Sequence, residues 1–299
     1  MELRQLKYLV SIAEEGTFTA AAEKLFISQS ALSQQVKRME EELGVPLFDR
    51  SRNRLQFTEA GELLHHRARK IIKEVEEAKT AIDDLEGLCR GTLSIGVVQT
   101  VNAYLIPRVV SYFSREYPKV KLGIEELSAP LLEEKLYNHE LDIGISFNPS
   151  VYPDLDFERI FSEQLLMIVN PRHKLAQCSS IEVKGMGEEH LLLLSNGYCT
   201  RRIWDAAARE AEVEPNVQIE MNTIDGLLSA IQNNTKVGTV LPALTMEMKA
   251  AEGLMGIPLE NPSPEREVGI LWRKGAYRNK ASEKFADVAR QQYRQLNEE

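Results

Sequence analysis

The sequence predicts an α/β protein in which a large carboxyl-terminal domain of mainly parallel strands follows an all-α head and one long helix. From Gly91 onward, short apolar runs at 93–98, 141–145 and 237–241 alternate with helical segments, the pattern of strands joined by crossover helices. Residues 58–88 form one uninterrupted helical stretch, and residues 1–57 read as short helices followed by a hairpin.

In the head, residues 18–26 form a short helix that Thr17 or Thr19 can cap, and Ala20, Ala21 and Ala22 let neighbours pack closely. Ile27 and Ser28 make a tight turn. Ser28 then caps a second helix, 29–43, whose apolar residues Ala31, Leu32, Val36, Met39 and Leu43 share one face, and Gly44 ends it. At the start of this helix Gln29, Ser30, Ser33 and Gln34 are exposed. Amides and hydroxyls pair with base edges in a major groove, Gln most naturally with adenine. Lys37 and Arg38 lie one turn further on, within reach of phosphates. Arg50, Arg52 and Arg54 come next at alternate positions, which a strand or hairpin sets on one side. A polar helix face is more often merely solvated. Helix, turn, helix and then an arginine-bearing hairpin is the combination that turns the reading toward DNA.

Thr58 can cap the long helix, which spans roughly 31 residues, on the order of 46 Å at 1.5 Å per residue. Leu64, Ala68, Ile71, Val75, Ala78, Ile82 and Leu85 recur at alternating spacings of four and three, a coiled-coil seam. The helix is expected to pair with a second copy, so that two heads face two half-sites of a near-palindromic duplex. His65 and His66 are adjacent and point about 100° apart, so they read as surface residues rather than metal ligands.

In the α/β region, hydroxyl residues recur where strands give way to helices. Gln99 and Thr100 follow Val98, Ser128 follows the run 125–127, and Ser146 follows Ile145. Thr200 with Arg201, and Thr223, stand at two later helix starts. Each alone is an ordinary cap. Together, at strand carboxyl ends, they predict one site for a small anion, which free N–H groups and helix dipoles favour. Cys199 precedes Thr200 at a helix start, where a thiolate is stabilised, so a redox sensor is the alternative; no second cysteine is near in sequence. His173 and the pairs Glu125/Glu126 and Glu133/Glu134 fall on a turn and on solvated edges. No nucleophile motif, P-loop or metal spacing points to an enzyme or a cofactor.

The 299 residues hold 36 Lys plus Arg against 45 Asp plus Glu, a net charge of −9. Averaged, that excess argues against DNA, but association depends on the local field. Residues 1–57 carry eight basic and eight acidic groups, so the acidic excess lies in the linker helix and the α/β region. Cys89, Cys178 and Cys199 are odd in number and lack a CxxC spacing, which fits neither a disulfide framework nor a zinc site. The first residues hold charges where a secretory signal needs an apolar run, and no eighteen apolar residues run together, so a cytoplasmic, membrane-free protein is expected.

The stretch FTAAAEKLFISQSALSQQVKRMEEELGVPLFDRSRNRLQFTEAGE resembles the winged helix-turn-helix of the LysR-type transcriptional regulators, through Ala21 and Ala22, the run from Ser28, PLFDR from Pro46 and TEAG from Thr58. The resemblance implies that Gln29, Ser30, Ser33 and Gln34 face bases, Lys37 a phosphate, and Arg50, Arg52 and Arg54 the minor groove. It continues to the carboxyl end. It implies a head at 1–57, a linker helix at 58–88 and an effector domain at 89–299 of two Rossmann-like lobes, similar to type II periplasmic binding proteins. Lobe I covers about 89–162 and 267–299, lobe II about 163–266, with crossings near 161–163 and 265–268. ELDIGISFNP, LLLLSNGYCTRR and MNTIDGLLSAIQNNTKVGTVLPA look closest to the cyanate-responsive, CynR-like branch. By motif position, Thr100, Ser128, Thr200, Arg201 and Thr223 would hold the effector, with Ser146 beside them. The implied partners are double-stranded DNA, a small effector, further copies of the chain as dimer or tetramer, and RNA polymerase. An enzyme or solute-binding domain with an incidental head is the remaining reading, and it predicts that ligand never alters DNA binding.

Overall fold

The computed structural model describes residues 1–49, 55–85, 90–148 and 152–296. The chain divides into two compact units, one holding Met1–Leu88 with Asn138–Glu140, the other Cys89–Tyr137 with Leu141–Glu299.

The first unit begins with α1 (Leu3–Glu15), α2 (Phe18–Lys24) and α3 (Gln29–Leu43). The Thr17 hydroxyl caps α2 by accepting the Ala20 N–H at 3.1 Å, and Ser28 caps α3 through the Ala31 N–H at 3.2 Å. Gly44 ends α3 at φ 72°, a left-handed position that suits glycine. Leu32, Val36 and Met39 are buried against Leu6, Leu9, Ile12, Ala21 and Ala22. Ala31 and Leu43, expected on the same face, are exposed, because the first and last turns of α3 overhang this small core. β1 (Phe48–Asp49) pairs antiparallel with β2 (Gln56–Phe57). Phe48 stacks on Phe57 at 4.8 Å and meets Phe18 edge-on at 5.3 Å, which fixes the base of the hairpin to α2.

Thr58 caps α4 (Glu59–Leu85) by accepting the Gly61 N–H, while its own hydroxyl donates to the Pro46 carbonyl at 2.7 Å. Part of the seam is used within the head. Ala68 is fully buried in the head core, and Leu64 packs against it. Ile71, Ala78 and Ile82 are exposed, Val75 is half-buried, and the Leu85 side chain lies outside the described residues. His65 is not a surface residue. It stacks on Phe57 at 5.2 Å and accepts from Arg69 Nε at 3.1 Å, and burial, reinforced by Arg69, pushes its pKa down to about 4.

The second unit runs β3 (Gly91–Val98), α5 (Gln99–Tyr104), α6 (Ile106–Glu116), β4 (Val120–Leu127), α7 (Ala129–Tyr137), β5 (Ile143–Phe147), β6 (Leu155–Val169), β7 (Ile181–Glu182), β8 (His190–Leu194), α8 (Cys199–Glu210), β9 (Asn216–Met221), α9 (Ile224–Asn233), β10 (Val237–Pro242), β11 (Met255–Glu260), β12 (Glu265–Arg273) and α10 (Lys280–Leu296). Parallel pairs β3–β4 and β3–β5 form one sheet centre, and β8–β9 and β8–β10 the other. The sheets are mixed rather than mainly parallel, because β6 and β12 join them antiparallel. β6 pairs with β12 over Leu155–Gln164, then with β10 over Leu165–Val169, and so passes from one lobe to the other without a loop. In this register Glu163 lies directly opposite Arg266.

The apolar runs are buried on both faces, as strands between two layers of helices must be. Ile95, Ile143 and Ile270 share one core with Val109 and Phe113 of α6 and Phe285 of α10. In the other lobe Leu191 and Leu193 pack with Trp204 of α8, whereas Leu192 and Leu194 turn to Leu227, Leu228 and Ile231 of α9.

Candidate functional site

Two surfaces gather the predicted residues. On the head, Gln29, Ser30, Gln34, Lys37 and Arg38 are exposed on α3, and Ser33 is half-exposed. Ser30, Ser33, Gln34 and Lys37 line an open groove with Phe18. Gln29 Nε2 donates to Ser33 Oγ at 3.0 Å, one helical turn away, so the two side chains present a joint donor and acceptor array. Lys37 sits 3.7 Å from Glu41 in an exposed pair that water screens, which leaves its charge free to meet an anion. Arg50, Arg52 and Arg54 lie outside the described residues.

In the second unit, a cavity of about 20 Å³ is lined by residues of both lobes, among them Gln99, Thr100, Ser128, Phe147, Cys199 and Thr200. That is space for little more than one water-sized body. The structure thus brings Thr100, Ser128 and Thr200 into one wall. The other three expected residues sit elsewhere. Ser146 is fully buried in β5 opposite Gly269, and its Oγ has no hydrogen-bond partner among the described residues. Arg201 is committed to Asp205 at 2.9 Å, Glu220 at 2.7 Å and the Leu194 carbonyl at 3.1 Å. Thr223 is exposed before α9; beside it the Asn222 carbonyl accepts from Gln99 Nε2 at 2.6 Å and from the Tyr198 hydroxyl at 3.1 Å.

Bonded to the Thr100 and Thr200 hydroxyls is a residue that the sequence reading missed. Arg266, at the start of β12, is buried and pairs with buried Glu163 on β6, Nη2 to Oε1 at 2.6 Å and Nε to Oε1 at 2.9 Å. Its Nη1 donates to Thr100 Oγ1 at 2.8 Å and to Thr200 Oγ1 at 3.1 Å, so one guanidinium ties the first turns of α5 and α8 together. Tyr104 donates its hydroxyl proton to Glu163 at 2.7 Å and accepts from Arg266 Nη2 at 3.3 Å, while the Leu244 N–H reaches the second Glu163 oxygen at 3.3 Å. Phe147 faces the guanidinium at 4.8 Å. Burial works against the charge on Arg266, but Glu163 and Tyr104 outweigh it and hold its pKa above the usual value. Burial raises the Tyr104 pKa well above normal, so its proton stays in the network. The sequence carried little signal for this pair: Arg266 stands between Glu265 and Glu267, and Glu163 between Ser162 and Gln164, so each is one polar residue among others where the chain crosses between lobes.

Burial pushes the Cys199 thiol up, with Arg266 and Arg202 pulling the other way. Cys199, Phe147 and Ala129 also form the wall of a second cavity of about 500 Å³, which Arg266 lines together with Asn148, Arg202 and Glu267. That volume suits a small organic molecule.

Two family descriptions match the chain: "Bacterial regulatory helix-turn-helix protein, lysR family" over residues 3–62 and "LysR substrate binding domain" over residues 86–294. The probable RuBisCO transcriptional regulator of Synechocystis sp. is 30% identical over 289 residues, 95% of this chain and 84% of that protein. The DNA-binding transcriptional dual regulator OxyR of Escherichia coli K12 is 28% identical over 97% of this chain and 95% of its own. Among solved structures, full-length OxyR C199D from Pseudomonas aeruginosa superposes with a TM-score of 0.78 at 29% identity, covering 97% of this chain and 95% of that one.

Proposed function

The chain belongs to the LysR family of DNA-binding transcriptional regulators, and from that premise we propose that α3 reads the major groove through Gln29, Ser30, Ser33 and Gln34, with Lys37 on a phosphate. The supporting observation is the capped α2–turn–α3 unit, which presents an uncharged donor and acceptor array next to an exposed cation, Lys37, in a water-screened pair with Glu41. Arg50, Arg52 and Arg54 are assigned to the wing contact by family resemblance. The exposed face of α4, Ile71, Ala78 and Ile82, pairs two copies in the cytoplasm, so that a near-palindromic site is held by two heads. Binding to the duplex that the full-length protein selects from a random-sequence pool is expected to weaken steeply with rising salt. Gln29→Ala is expected to cost about 1–3 kcal/mol on that duplex and little on a scrambled one, so selectivity falls. Equal binding of both duplexes by the unaltered protein would refute the assignment.

We further propose that the cleft wall of Thr100, Ser128 and Thr200 is the effector site and that the effector is a small anion drawn by Arg266. The hydroxyls that Arg266 now engages belong to both lobes, so an anion that takes over part of this bonding changes the relation between them. Resemblance to the cyanate-responsive branch makes cyanate the first anion to try at this wall. Ser146, Arg201 and Thr223 serve this site from behind or beside it. Arg201 holds the end of β8 against α8, and Thr223 carries the segment that Gln99 and Tyr198 grip. Contact with RNA polymerase follows from regulator function.

A second reading is redox sensing at Cys199. It is supported by the position of Cys199 in the cleft beside Arg266 and Arg202, and by relatives that include OxyR of Escherichia coli K12 and proteins called hydrogen peroxide-inducible genes activators. Burial keeps the thiol protonated at neutral pH, so its reaction with peroxide is expected to accelerate as pH rises and the thiolate forms. One melting experiment separates the readings. With millimolar cyanate the full-length chain is expected to gain stability by mass action, and Thr200→Val to abolish the gain. Under peroxide, a melting shift that Cys199→Ser removes, with no response to any small anion, would establish the redox reading instead.

A further inference from the structure

We propose that Phe26 is a DNA contact of the head, its ring lying against deoxyribose carbons at the edge of the groove that α3 enters. The proposal rests on the reading that α3 faces DNA. Phe26 is 94% exposed, the most exposed large apolar side chain among the described residues. It stands in the turn between α2 and α3, two residues before the Ser28 cap and three before Gln29.

The turn itself is tightly built. The Ile27 N–H reaches the Ala22 carbonyl at 3.0 Å and the Phe26 N–H the Glu23 carbonyl at 3.1 Å, the paired bonds of a Schellman ending to α2. Phe26 occupies the left-handed position of this motif, at φ 55°, where glycine or asparagine is the unstrained choice. Leu25 and Ile27, on either side, pack into the head core. The backbone is therefore fixed, and the ring projects from it with no protein surface to cover it. A phenylalanine here is unfavourable for the backbone and unfavourable in water. The backbone cost is local and stays whatever covers the ring, whereas the exposure of the ring is relieved by an apolar surface that the free head does not supply.

The surface next to Phe26 is the α3 face, so the occupant is the duplex. Phenylalanine has no donor for a phosphate, and Phe26 precedes the helix rather than riding on it. Its place is at the sugars of the strand bordering the groove, while Gln29 and Ser30 reach the bases. The head needs such a contact because residues 1–57 carry no net charge and have little general electrostatic grip.

The test uses the full-length protein and the duplex it selects from a random-sequence pool, titrated across a salt series. Phe26→Ala is expected to weaken binding about tenfold, as for a buried aromatic anchor, without changing the slope of affinity against salt, because no phosphate loses a counter-charge. Phe26→Asn, which suits the left-handed backbone, is expected to melt no lower than the original protein and yet to bind as weakly as Phe26→Ala. Phe26→Leu recovers part of the affinity. The preference for the selected over a scrambled duplex is unchanged, since sugars carry no sequence. Loss of affinity by Gln29→Ala but not by Phe26→Ala or Phe26→Asn would overturn the Phe26 contact and leave the α3 reading standing. No effect from either Gln29→Ala or Phe26→Ala would overturn both. A changed oligomeric state of Phe26→Ala at unaltered DNA affinity would assign the ring to a second copy and overturn the contact.

Discussion

Arg266→Met is expected to destabilise the second unit by about 3–5 kcal/mol, the usual cost of leaving one partner of a buried ion pair alone. Glu163 would keep the Tyr104 hydroxyl and the Leu244 N–H but lose both guanidinium bonds in a site from which water is nearly excluded. The Thr100 and Thr200 hydroxyls would lose their common donor at the same time. Denaturant unfolding of the full-length chain, followed by a signal from Trp204 or Trp272, both in this unit, measures the loss. The double replacement Glu163→Met with Arg266→Met is expected to recover most of it, because removing both charges leaves no orphan. A loss under about 1 kcal/mol for Arg266→Met alone would mean that the pair is effectively solvated, as an exposed one is. If the proposed anion site is right, the double variant is also expected to fold without answering cyanate, which would separate a role of the pair in the fold from one in effector binding.

Gly61→Ala is expected to abolish DNA binding while leaving cleft chemistry intact. A Cβ at Gly61 would meet the Leu47 carbonyl oxygen at 2.0 Å and a Phe57 ring carbon at 2.7 Å. Neither can yield cheaply. The Leu47 carbonyl accepts the Thr58 N–H at 3.0 Å, and Phe57 is stacked between Phe48 and His65. The first turn of α4 must therefore part from the base of the hairpin, at a cost of about 3 kcal/mol, the upper end for overpacking. The readout is DNA affinity together with the melting of each unit; the second unit is expected to melt as in the original protein, because Gly61 belongs to the first. Gly185→Ala, where the added carbon meets nothing within 4 Å, serves as the harmless control. Full DNA binding by Gly61→Ala would show that the hairpin's attachment to α4 does not matter for reading.

Much of the head was legible because its signals are local. Ser28 and Gly44 bound α3 through bonds made within a few residues, and the sequence places them unambiguously. The same holds for the alternation of strands and helices after Gly91, and for Thr100, Ser128 and Thr200 at strand ends. What failed locally failed for a reason of packing. Leu64 and Ala68 obey the seam spacing, yet the head core claims them. Ala31 and Leu43 fit the apolar face of α3, yet no core extends under them. His65 looked solvated until Phe57, from the preceding strand, covered it.

The net charge of −9 argued against DNA only while it was averaged over the chain; divided by region, it left a neutral head with uncharged polar side chains exposed on α3. The sequence by itself determined the alternation of strands and helices, the caps of the head, the helix-turn-helix and the family, since each is written in residues near one another along the chain or in motifs matched position by position. Tertiary structure alone decided the cleft. Its hydroxyls read as helix caps, which favour anions, but they converge on a cation, Arg266, 166 residues from Thr100 and 66 from Thr200. No local pattern specifies that convergence. It arises because β6 and β12 cross between the lobes side by side, setting Glu163 opposite Arg266 in a register that only the folded sheet defines.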